Sequence, residues 1–127
     1  MRLLVDTHAF LWFAAGDARL SKAARRALEK DDGEWWLSAA SVWELSIKSG
    51  LGRLTLPAPA AEYIADKVRA GVRVLSVDWT HAAAVERLPP HHRDPFDRLL
   101  VAQSILEDLP IVTGDRTLAR YDIEVVW

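Results

Sequence analysis

Short apolar runs that stop abruptly at a polar residue, alternating with segments of helical character, constrain this chain more than any other feature. Leu3, Leu4 and Val5 end at Asp6-Thr7, and Trp35, Trp36 and Leu37 end at Ser38. Val72, Val74, Leu75 and Val77 make a third run, Pro110 to Thr113 a fourth that empties into Gly114-Asp115, and Ile123 to Val126 a fifth. A strand covered on both faces reads as continuously apolar rather than alternating, which is how a buried parallel strand looks. Strands of that kind, each separated from the next by a helix, predict an α/β chain: a three-layer α/β/α sandwich with a central five-stranded parallel sheet joined by right-handed crossovers.

The helical segments carry their own punctuation. His8 to Ala15 is apolar and closed by Gly16; Ser21 caps a surface helix through Ala23, Ala24, Ala27 and Leu28 that ends near Asp31-Asp32-Gly33. A helix from about Ser41 to Ser49 stops at Gly50, with Trp43 and Ile47 as an apolar stripe beside a line of Ser41, Glu44 and Lys48. Leu51 to Ala60 is a loop punctuated by Pro and Gly, after which a helix from about Ala61 to Ala70 ends at Gly71. Thr80 to Leu88 is a short helix stopped by Pro89-Pro90, and Leu118 to Arg120 is a single turn. The sharpest boundary is Asp94-Pro95: an Asp accepts from the orphan amides and Pro fits the first helical position, so a helix begins there and runs to about Leu106. Its Leu99, Leu100, Val101 and Ala102 are apolar nearly all round, as in a helix buried on more than one side.

At 127 residues, half of them apolar, the chain makes one domain spanning 1–127. A net charge of -2 announces neither nucleic acid nor membrane by bulk electrostatics. Without cysteine there is no disulfide, thiolate metal site or cysteine nucleophile, so any metal must be held by oxygen or imidazole. Met1 to Val5 is too short an apolar stretch for a signal peptide and no run approaches a membrane span, so a soluble cytoplasmic protein is expected. Six tryptophans imply large apolar surfaces filled in a core or at an interface.

In open parallel sheets, ligands sit beyond the carboxyl ends of the strands where the winding direction reverses. Asp6 and Asp115 both end strands, so if those strands are neighbours their carboxylates converge there. Glu44 and Asp97 stand on helices that can overhang the same crevice. Each acid also has a purely structural use. Asp6 and Asp115 can form turns, Glu44 can pair with Lys48 one helical turn on, and Asp97 can answer the helix dipole or share a capping exchange with Asp94. Together, however, carboxylates at ~4 Å and an effective dielectric of ~20 repel by about 4 kcal/mol per pair, more than a small domain tolerates uncompensated. A hard divalent cation, Mg²⁺ or Mn²⁺, is the chemically matched counter-ion for an all-oxygen set. Such an ion suits hydrolysis of a phosphodiester.

Those residues resemble a known family. Leu4-Val5-Asp6-Thr7-His8, Ser41 to Lys48 around Glu44, His92 to Gln103 around Asp97, and Thr113-Gly114-Asp115 follow, over nearly the whole chain, the order of acidic segments in PIN-domain ribonucleases, most closely the VapC-type toxins of bacterial toxin-antitoxin modules. The resemblance implies a PIN-like fold and a Mg²⁺- or Mn²⁺-dependent endoribonuclease that cleaves cellular RNA and so blocks translation and growth. It further implies a homodimer held inactive by a cognate, VapB-type antitoxin. Asp6, Glu44, Asp97 and Asp115 are then both the catalytic and the metal-binding residues, Asp94 is a helix cap first and a possible further ligand second, and Thr7 and Thr113 orient ligands by hydrogen bonding.

Other residues near these acids are expected to be ordinary. His8 reads as packed or hydrogen-bonded, His91 and His92 as solvated, and Arg98, Arg116, Lys48 and Arg53 as surface cations within reach of RNA phosphates. Leu11 to Phe13 reads as core or dimer contact rather than a base-stacking platform. Two rival functions remain: a catalytically silent PIN-like binding module, and a phosphohydrolase with an Asp nucleophile. The second resembles Asp-x-Asp after its first strand, where this chain has His8.

Overall fold

The computed structural model describes residues 2–30 and 33–127. Strand β1 (Arg2–Val5) leads to helix α1 (Thr7–Ala15), then α2 (Lys22–Glu29), β2 (Glu34–Ser38), α3 (Ala39–Gly50) and α4 (Ala60–Arg69). There follow β3 (Arg73–Leu75), α5 (Trp79–Ala84) continued by a tighter turn at Val85–Arg87, α6 (Pro95–Glu107), β4 (Ile111–Val112), a single turn at Leu118–Arg120 and β5 (Val125–Val126). The strands form one sheet in the order β3-β2-β1-β4-β5, and every pairing is parallel.

Successive side chains of a strand point to opposite faces, and β1 divides the molecule accordingly. Leu3 and Val5 enter a core built with Ala9 and Phe10 of α1, Ala24 and Leu28 of α2, Leu45 of α3 and Tyr63 and Ile64 of α4. Leu4 enters the opposite core with Leu100 of α6, Leu109 and Ile111. These two cores on either side of the sheet are the three layers expected from the alternation of runs and helices.

Local chemistry sets the element ends. Gly16 closes α1 in the left-handed region at φ 64°, where an L side chain would be strained. Asp94 accepts from the amides of Phe96 and Asp97, with Pro95 at the first helical position. Ser38 is at once the last residue of β2 and the cap of α3, its Oγ accepting from the amide of Ala40 at 3.0 Å. That leaves no loop between strand and helix, and α3 begins before the Ser41 start read from sequence. The expected end of α2 at Asp31-Asp32 lies outside the described residues, although the helix already closes at Glu29. The third strand is only Arg73–Leu75, at the sheet edge, without Val72 or Val77.

The stripe assigned to α3 is reversed. Its buried face is Ala40, Ser41, Glu44 and Leu45. Trp43 is 61% exposed and packs edge-on against Phe96, ring centroids 5.2 Å apart. Ser41 and Glu44 of the polar line face inward, where the Thr7 hydroxyl of α1 meets both. Among the described residues no helix is long and apolar enough to cross a membrane.

Candidate active site

In this strand order the chain moves from β1 towards β3 on one side and from β4 to β5 on the other, so the winding reverses between β1 and β4. Val5 pairs in register with Val112, and the residues just beyond them are Asp6 and the Thr113-Gly114-Asp115 turn.

Asp6 is buried. Its Oδ1 accepts from the Ala9 amide at 2.7 Å, capping α1, and its Oδ2 accepts from the Thr113 hydroxyl. Burial pushes its carboxyl above the usual range, although the bonds from Thr113 and Ala9 pull the other way. Thr113 serves two acids, since its Oγ1 also accepts from the Asp115 amide at 3.0 Å.

Glu44 is equally buried and points inward. Its Oε1 lies 2.7 Å from Thr7 Oγ1 and its Oε2 lies 2.6 Å from Lys48 Nζ. The helical pair with Lys48 read from sequence forms, but around a buried carboxylate rather than at the surface. Thr7 Oγ1 is also 2.9 Å from Ser41 Oγ. A hydroxyl has one proton and a carboxylate only accepts, so Thr7 donates to Glu44 and Ser41 donates to Thr7.

Asp97 differs from the other acids. Among the described residues no donor makes a hydrogen bond to its carboxylate; His92 Nε2 comes within 3.4 Å of Oδ2 without forming one. Burial, followed by the charge of Asp94, raises its pKa to about 7, with Asp6 and Glu44 adding smaller repulsions that His92 partly offsets. Asp97 therefore senses Asp6, Glu44 and Asp94 together. Asp115 is more open. Burial raises its pKa, but hydrogen bonds from His92 and the Thr117 amide outweigh that and leave it below the usual value.

His92 is where expectation fails most. It is not solvated: its Nε2 is 2.8 Å from Asp115 Oδ2, and with Asp97 and Asp115 it brings ligand atoms within 4.8 Å of one another. Whether it can bind an ion directly is decided by its other nitrogen. The Asp94 amide, which can only donate, is 3.0 Å from Nδ1. Nδ1 is therefore the acceptor, Nε2 carries the hydrogen, and the ring donates to Asp115 rather than offering a lone pair to an ion. No spacing rule would have found this, since His92 belongs to the loop ahead of the cap and meets Asp115 only through the fold.

His8 is packed as expected, leaning on the Trp12 ring although exposed. Other expectations are corrected: His91 packs edge-on against Tyr121 rather than standing in solvent. Arg98 is not a surface cation. Its guanidinium donates to the carbonyls of Val85, Leu88 and Pro89 and to the Tyr121 hydroxyl, tying the loop before α6 to the turn before β5. Arg116 and Arg53 are exposed, as expected.

The carboxylates of Asp6, Glu44, Asp97 and Asp115 all offer oxygen, a donor type that fits a hard divalent cation. A PIN domain model matches residues 3–124. Ribonuclease VapC22 of Mycobacterium tuberculosis (strain H37Rv) is 33% identical over 120 residues, covering 94% of this chain and 91% of that protein. Ribonuclease VapC16 of the same organism is 50% identical over 48 residues, 37% of this chain and 34% of that protein. Among solved structures, VapBC2 from Rickettsia felis bound to a DNA fragment from its promoter superposes with a TM-score of 0.72 at 13% identity, covering 98% of this chain and 97% of that one. FitAB bound to an IR36 DNA fragment superposes with a TM-score of 0.67 at 18% identity, covering 98% and 93%. At those identities the structural likeness concerns the fold.

Proposed function

Because the chain belongs to the PIN-domain family and groups with its VapC-type ribonucleases, we propose that it is a divalent-metal-dependent endoribonuclease acting as the toxin of a toxin-antitoxin module. The observation that carries this reading is Asp97: among the described residues its carboxylate accepts no hydrogen bond, and burial with the charges of Asp94, Asp6 and Glu44 pushes its pKa up to about 7. An acid left unsatisfied among acids is costly unless a cation joins it.

Asp6, Glu44, Asp97 and Asp115 would hold the ion, Mg²⁺ or Mn²⁺, and Asp94 remains the cap of α6 with a possible outer role. When bound, that ion supplies Lewis acidity to the phosphoryl oxygen and lowers the pKa of an attacking water. The rest falls to the chain. Thr113 fixes the Asp6 carboxylate and the Asp115 backbone together, Thr7 fixes Glu44, and His92 Nε2–H holds the Asp115 carboxylate in place. Lys48 balances one charge at Glu44.

The reading extends to partners. A cognate VapB-type antitoxin would cover the acids, and RNA would be cut in the cytoplasm. A homodimer is supported by the exposed Trp79, Ile105 and Leu106, large apolar groups on and beside α5 and α6. An Asp-nucleophile phosphohydrolase is disfavoured because the position two residues after Asp6 is the exposed His8.

The test is incubation of the purified chain with cellular RNA in Mg²⁺, in Mn²⁺ and in chelator. Cleavage should need the metal and vanish in Asp97→Asn. Undiminished cleavage by that variant, or none by the wild type in either metal, would overturn the proposal, the latter in favour of a silent binding module.

A further inference from the structure

Beside the acids lies a cavity of about 450 Å³, within the ~300–1,000 Å³ range of small-molecule pockets. Asp6, Gly114 and Asp115 line the wall towards the acids, and His8, Trp12, Arg19 and Trp127 complete the lining. Trp127 packs on Trp12 with ring centroids 6.0 Å apart and is still 38% exposed. Its indole also lies over Gly114 so closely that a Cβ there would stand 2.7 Å from Cζ2. A side chain at position 114 would therefore push the ring off the segment that carries Asp115. Arg19 lies over the Trp12 ring at 5.0 Å and spends Nε and Nη2 on Asp17, leaving Nη1 outside that pair.

We propose that this cavity is a nucleobase subsite, in which the base beside the scissile phosphodiester stacks on Trp127 and the next phosphate meets Arg19. The inference rests on the nuclease reading, since it is the acids that bring a phosphodiester to this wall. Flat π faces next to one cation suit a nucleotide whatever its base, because every base offers a stacking face. The expectation that Leu11 to Phe13 is core or dimer contact rather than a base-stacking platform is thereby divided: Leu11, Trp12 and Phe13 pack against the core, while Trp12 also lines the cavity.

The test uses the ¹⁵N-labelled full chain in Mg²⁺, with indole N–H signals assigned through Trp12→Phe and Trp127→Phe. Added 5′-AMP or 5′-UMP should shift the Trp127 signal, and ribose 5-phosphate, which lacks a base, should not. On a single-stranded RNA that the wild type cleaves, Trp127→Ala should raise KM by about 5- to 150-fold with little change in kcat, whereas Trp127→Phe stays near the wild type. Thermal denaturation of both variants separates this from loss of fold. Arg19→Gln should reduce the salt dependence of RNA binding by about 0.7 in log–log slope. Indole signals that ignore nucleotides in a cleaving wild type, or that respond equally to ribose 5-phosphate, overturn the subsite alone. A wild type with no metal-dependent cleavage overturns the reading beneath it.

Discussion

Replacing Asp97 by Asn keeps the shape of the side chain and removes its charge, so it asks directly what the crowded carboxylate costs the metal-free fold. Raising the pKa from 3.8 to about 7, at about 1.4 kcal/mol per pH unit, corresponds to a ceiling of about 4 kcal/mol. The sign follows from proton binding. The folded carboxyl holds its proton more tightly than the unfolded one, so the wild type loses stability as pH rises from near 4 through about 7, and the loss is complete above that. The Asn side chain has no such proton. In chelator, urea unfolding should therefore find the two proteins equally stable near pH 4 and Asp97→Asn more stable by about 2–4 kcal/mol at pH 8, roughly 6–20 °C in Tm for a domain of this size. Saturating Mg²⁺ should stabilise the wild type through binding and leave the variant nearly unmoved. Equal stability at pH 8 without metal, or a less stable variant, would refute the electrostatic account of the site.

Two further outcomes follow from the hydrogen bonds. His92→Ala should weaken Mn²⁺ binding by about 10- to 100-fold in calorimetry while His92→Asn, which retains an N–H donor, loses less; a nitrogen hyperfine coupling in the Mn²⁺ resonance would instead make His92 a ligand. Arg98→Met strips donors from the carbonyls of Val85, Leu88 and Pro89 and should lower stability by about 2–4 kcal/mol, which an unchanged Tm would contradict.

Much of this molecule is legible along the chain. The continuous apolar runs, the Asp94-Pro95 helix start, the Ser21 cap and the Gly16 stop depend on a residue's nearest neighbours, and each falls within a residue or two of its expected place. Strand-ending acids could likewise be listed. Where they point was not legible: Glu44 fits a surface pair with Lys48 as well as an inward carboxylate, and the Thr7 hydroxyl, 37 residues away along the chain, turns it inward. Trp43 shows the same limit from the other side, since helical spacing groups it with Ile47 while packing turns it out to meet Phe96.

Local sequence thus determined which segments are strands, where helices start and stop, and which acids end or flank them, because caps, turns and burial patterns act over a few residues. The tertiary structure alone decided that β1 and β4 are neighbours, that His92 turns a donor towards Asp115, that Arg98 faces carbonyls, and that Trp127 closes over Gly114. Each of those is a meeting of groups distant along the chain, set by strand order and packing, and no pattern read one segment at a time contains it.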